Sequence, residues 1–168
     1  MKKHIKYFLS LALAFMVASP AMAFNMEDGL TKFFKKVSPQ TEFILADPKG
    51  SVLADYINLK KLRNDAGSWF VEGIGEDYIP KLADFDLVKK AYEVTDEESF
   101  TAARLLLRDE GILAGSSTGT LLSAALRYCQ EQTTPKRVVT LACDSGNKYL
   151  SKMFNDEWLK DKNLTLNL

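Results

Sequence analysis

TDEESFTAARLLLRDEGILAGSSTGTLLSAALRYC, residues 95 to 129, carries two helix patterns with a short apolar run and a Gly/Ser/Thr turn between them. Thr95 stands three residues before Glu98, the spacing of a capping box, and acids crowd the turn that follows. Gly111 stands just past the last periodic residue, where a helix needs a left-handed cap. These signals predict a helix from Thr95 to Gly111. The run Ile112 to Ala114 reads as a brief strand, GSSTGT (Gly115 to Thr120) as a strand-to-helix turn, and the remainder as a helix burying Leu122, Ala125, Leu126 and Cys129.

Working outward, the same alternation repeats. AYEV, Ala91 to Val94, precedes the first helix as a strand, and TEFILAD, Thr41 to Asp47, is a short apolar run bounded by turn signals, as in a strand buried on both faces. Before it, Asn25 can cap a helix through Leu30, Phe33, Phe34 and Val37 that Ser38-Pro39 stops. Pro48-Lys49-Gly50 turns the chain. Tyr56 to Ser68 shows charge without a period and reads as loop, and Trp69 to Pro80, WFVEGIGEDYIP, reads as an ordered loop. Downstream, RVVTLACD (Arg137 to Asp144) has the pattern of a buried strand and NKYLSKMFNDEWLKD that of a closing helix. Strands alternating with helices imply an α/β domain with a mostly parallel sheet.

Residues 1–23 differ from the rest. Lys2, Lys3 and Lys6 precede an apolar run from Tyr7 to Val17, then Pro20 and Ala21-Met22-Ala23, the order of a secretory signal peptide; the apolar run is too short to span a bilayer as a helix. Cleavage after Ala23 is expected, with residues 24–168 forming one domain outside the leader and a periplasmic or secreted location. Removing three lysines from 22 basic residues leaves 19 against 22 acidic, a balance that disfavours nucleic acid as a partner. His4 is the one histidine and leaves with the leader, excluding histidine-based catalytic triads and metal sites from the remainder. Cys129 and Cys143 fall on apolar patterns, which favours core packing over a disulfide.

Two segments carry candidate chemistry. GSSTGT places backbone N–H groups, four hydroxyls and the positive end of a helix together, and taken alone reads first as an N-cap with a tight turn; it lacks the Gly-Lys-Ser/Thr of a nucleotide P-loop. GIGED, Gly73 to Asp77, sets two glycines around Ile74, which equally suits an ordinary turn or lets backbone approach a flat ligand, with Glu76 and Asp77 placed for an ammonium group.

VEGIGEDYIP, then TDEESFTAARLLLRDEGILAGSSTGT, then CDSGNKYLSKMFNDEW, in this order, resemble the later part of the catalytic core of the cystathionine β-synthase and cysteine synthase family. The likeness extends from about Gly29 to Leu164. It implies a partial three-layer αβα domain of the tryptophan-synthase-β type (fold type II), pyridoxal phosphate as cofactor and an amino acid as substrate. By position, Ser117 would face the pyridine nitrogen, with Gly115 and Gly119 shaping its turn. Gly73 and Gly75 would run alongside the cofactor, and Glu76 would help select the second substrate. The resemblance also implies parts that find no match here: a lysine that holds the cofactor covalently, an asparagine on the ring hydroxyl, a substrate-carboxylate loop and a phosphate cradle. No residue is assigned as catalytic. The expected function is therefore a truncated β-replacement enzyme, inactive alone or completed by a separate N-terminal half or as a homodimer. The alternatives are an exported, non-catalytic interaction module on the same scaffold, or a gene remnant.

Overall fold

The computed structural model describes residues 31–63, 65–81 and 85–168, together with the backbone of 13–15. Four parallel strands form one sheet: β1 (Leu13–Phe15), β2 (Glu42–Pro48), β3 (Val88–Val94) and β4 (Arg137–Val139), in the order β3-β2-β1-β4. The helices are α1 over 31–37, α2 (Leu53–Leu59), α3 (Asp96–Glu110), α4 (Ser116–Glu131) and α5 (Asp156–Asp161). Asn25, the expected cap of α1, lies outside the described residues.

Alternating side chains of β2 and β3 divide the core into two layers. Ile44, Ala46, Tyr92 and Val94 meet α4, whereas Leu45 and Ala91 meet Val52, Leu53, Ala54 and Ile57 around α2. Helix–sheet–helix layering of a parallel sheet results, as the α/β pattern implies. Outside α4, α3 packs with the closing segment over a third cluster built on Phe100, Tyr149, Met153 and Leu159.

Helix α3 forms as its sequence dictates. The Thr95 hydroxyl accepts from Glu98 N–H, Glu98 accepts from Thr95 N–H at 2.8 Å, and Gly111 closes the helix at φ 70°. Helix α4 is rotated from expectation: its buried face is Leu121, Ala124, Ala125 and Tyr128, whereas Leu126 is 51% exposed and Leu122 and Cys129 are half-buried. Gly119 sets that rotation. A Cβ there would stand 1.9 Å from the Ser99 carbonyl oxygen, so only glycine permits this approach of α3, which the buried Ser99–Thr120 hydroxyl pair (2.8 Å) then fixes.

Other expectations are corrected by local physics. The segment expected as loop from Tyr56 contains most of α2, a helix of seven residues whose apolar period is too short to register; its orphan Ala54 N–H is accepted by Asp47 from the end of β2 at 2.8 Å. No strand precedes GSSTGT, only an isolated antiparallel bridge between Ala114 and Ser145. The expected buried strand through Asp144 ends at Val139 and is partly exposed; farther on, Cys143 N–H turns to the Thr118 hydroxyl. The closing helix is broken into a 3₁₀ turn (Gly146–Tyr149) and α5, which Asn155 caps through Glu157 and Trp158 N–H. Both cysteines are free; Cys129 is half-buried but Cys143 is exposed, so core packing does not describe Cys143. Residues 1–23, expected as a leader outside the fold, include Leu13–Phe15, whose backbone forms β1 between β2 and β4.

Asp47 gives the fold a pH signature. It is 1% exposed, and burial pushes its carboxyl up to about 6 against the pull of the Ser51 hydroxyl and Ala54 N–H. Between the ordinary 3.8 and about 6 the unfolded chain ionises while the folded one holds its proton. This group's contribution therefore declines as pH rises through that window, by about 3 kcal/mol in all. Asp47→Asn removes that slope, so the stability difference between variant and parent should shift in the variant's favour from acid to neutral pH. Urea titrations across the window check this, and parallel pH profiles would contradict it.

Candidate cofactor site

The first turn of α4 organises the site. Gly115, in extended conformation, donates its N–H to the Asp144 carbonyl at 3.0 Å, and a Cβ on it would lie 1.9 Å from Asp144 Oδ1. The Ser116 hydroxyl accepts Glu72 N–H at 3.1 Å, and the Thr118 hydroxyl accepts Cys143 N–H at 3.1 Å. Ser117 is buried, with its hydroxyl against the Cys143 thiol. Tyr149 OH donates to Asp144 Oδ2 at 2.9 Å, and burial together with that carboxylate pushes its pKa up to about 12, so it stays a donor. Lys152 pairs with Glu72 across the same junction. The three motifs singled out in the sequence therefore converge on one helix end.

The glycine loop is held from two sides. Gly73 and Gly75 adopt φ of +81° and +86°, which favour glycine. A Cβ on Gly75 would collide with Pro48 and Trp69, whereas the space beside Gly73 is open. Trp69 Nε1 donates to the Ile74 carbonyl at 3.0 Å, and one oxygen of Asp96 accepts both Phe70 and Val71 N–H at 2.9 Å. Glu76 sits apart from the α4 turn, its backbone anchored to Ser51 and Val52. Its Oε1 is buried without a partner, and burial followed by Asp77 raises its pKa.

The structure thus joins the α4 turn that carries Gly115 and Ser117 to the Gly73 loop through the Ser116–Glu72 hydrogen bond, places Glu76 on the β2 side, and assigns Gly119 to packing against Ser99. Sequence reasoning missed Asp144, Tyr149 and Asp96. Asp96 read as an ordinary first-turn acid; CDSG was noticed as a motif, but nothing local marked its carboxylate as the backing of Gly115.

The ring-nitrogen side of a pyridoxal phosphate fits these residues. The first turn of α4 carries neither acid nor base, so a ring nitrogen placed at Ser117 would meet a hydroxyl and the positive helix end, which would favour the neutral ring. Asp144 Oδ1, buried without a partner beside Gly115, has acceptor capacity to spare. Among the described residues, Lys148 and Lys152 on the neighbouring segment are paired with Asp144 and Glu72.

A parallel α/β sheet covered on both faces, with a hydroxyl-rich helix N-terminus backed by a glycine loop, has the architecture of fold type II pyridoxal-phosphate enzymes. The family model for pyridoxal-phosphate-dependent enzymes matches residues 20–144, and the chain belongs to that family. It is 39% identical over 139 residues to cystathionine β-synthase of Saccharomyces cerevisiae, covering 81% of this chain and 27% of the yeast protein. Cysteine synthase 2 of Schizosaccharomyces pombe is 32% identical over 149 residues, covering 81% of this chain and 38% of that protein. The crystal structure of an O-acetylserine-dependent cystathionine β-synthase from Helicobacter pylori superimposes with a TM-score of 0.70 at 28% identity, over 84% of this chain and 43% of that one. The chain therefore spans less than half the length of each of these relatives.

Proposed function

We propose that this chain supplies the ring-nitrogen wall of a pyridoxal-phosphate site for β-replacement of the cystathionine β-synthase or cysteine synthase type, in which serine or an activated serine exchanges its β-substituent for a thiol such as homocysteine. When bound, the cofactor supplies an electron sink for bond cleavage at the amino-acid α-carbon. Ser117 would offer the ring nitrogen its hydroxyl, tuning the ring toward elimination and replacement. Gly115 permits Asp144 to back that turn, and the open side of Gly73 leaves room for the amino acid. Convergence of Gly115, Ser116 and Glu72 at the end of α4 is the observation that carries this reading.

Among the described residues no lysine matches the covalent anchor by position, and on this reading turnover needs residues that the relatives carry outside the matched segment. Incubating it with pyridoxal phosphate, serine and homocysteine should yield no cystathionine by mass spectrometry. Adding a separate polypeptide with the N-terminal half of a related synthase should restore product, and Ser117→Asp should depress the restored rate at least about tenfold by placing an acid at the ring nitrogen. Turnover by the single chain would refute the proposed inactivity. Restoration indifferent to Ser117 would refute its role.

A further inference from the structure

The leader's apolar run has a second place to go. In the order β3-β2-β1-β4, β1 is the neighbour that joins β4 to the rest of the sheet: Ala14 and Phe15 register with Glu42 and Phe43 on one side, and Leu13, Ala14 and Phe15 with Arg137, Val138 and Val139 on the other. β4 is three residues long and leads into Cys143 and Asp144, which back Thr118 and Gly115. The family match begins at residue 20, inside the segment that reads as leader. We infer that Leu13–Phe15 has two exclusive fates: threading for export and removal by cleavage after Ala23, or docking as the inner strand that fastens β4 and its loop to the sheet.

The exclusivity is physical. A strand in mid-sheet satisfies backbone N–H and C=O groups on both neighbours, and its removal leaves two facing edges with open hydrogen-bonding groups. Export needs the same residues extended and undocked, so early docking retains the chain and early capture by the export machinery prevents completion of the sheet. The folded form is the uncleaved form. This conclusion is independent of whether the helix end binds pyridoxal phosphate.

Hydrogen exchange on the full chain, with intact mass confirming that residues 1–23 are present, tests it. Amides of Leu13–Phe15, Val138 and Val139 should be protected together, and Ala14→Pro should speed exchange at Val138 and Val139 by at least about tenfold while α3 amides keep their rates. Free exchange of Leu13–Phe15 beside a protected α3 would overturn the inference. So would a folded fraction beginning at Phe24 with β2 and β4 equally protected, or a full chain without protection anywhere. Should Ala14→Pro fail to fold, the parent's rates at Leu13–Phe15 decide the matter alone.

Discussion

Gly119→Val should unfold the domain or cost it at least about 3 kcal/mol, more than a typical overpacked core position. A Cβ at this site meets the Ser99 carbonyl oxygen at 1.9 Å and its carbon at 2.8 Å, both backbone atoms in the first turn of α3. Relief requires α3 and α4 to separate, which also breaks the buried Ser99–Thr120 hydroxyl pair and the packing of Ala103 on the same face. The consequence extends to the site, because the next turn of α4 toward its N-terminus carries Ser116 and Ser117. Chemical denaturation should show the loss already for Gly119→Ala, at about 1–3 kcal/mol. A cost near zero would mean that the helix pair is not held as closely as described.

Phe100→Ala should cost about 3–5 kcal/mol, the range for truncating a fully buried aromatic. Phe100 is 1% exposed in a cluster with Val71, Ile74, Tyr149, Met153 and Leu159, and Trp158 stands with its ring centroid 6.2 Å away. That cluster is where the glycine loop and the CDSG segment share a core. The cavity left by alanine therefore loosens both walls of the candidate site, and hydrogen exchange at the Phe70 and Val71 amides, held by Asp96, should accelerate along with the stability loss. A full stability loss with unchanged protection at those amides would show that Asp96 alone holds the loop.

The strongest local signals were the ones the sequence carried legibly. Thr95, Glu98 and Gly111 encode α3 within one span because capping is decided by near neighbours. The apolar run of β2 is legible for the same reason, since burial on both faces leaves no polar alternation. The rotation of α4 is not local: the rule that Gly119 faces Ser99 depends on a helix 21 residues earlier in the Ser99–Thr120 pair. Nor is α2, whose start is fixed by Asp47 from seven residues upstream. At the site, the glycines and Ser117 were visible as motifs, whereas Asp144 and Tyr149 acquire meaning only when the chain folds back on Gly115. The place of Leu13–Phe15 was hidden by its own composition, because a short apolar run satisfies both a leader and an inner strand.

Borohydride reduction of the purified chain after incubation with pyridoxal phosphate, followed by intact mass and peptide mapping, tests the central claim most directly. If, as proposed, the chain supplies the ring-nitrogen wall and the anchor comes from elsewhere, lysine adducts should be absent or scattered and unchanged by Ser117→Ala. A single stoichiometric adduct at one lysine, lost on Ser117→Ala, would contradict the account by showing a complete cofactor site within these 168 residues.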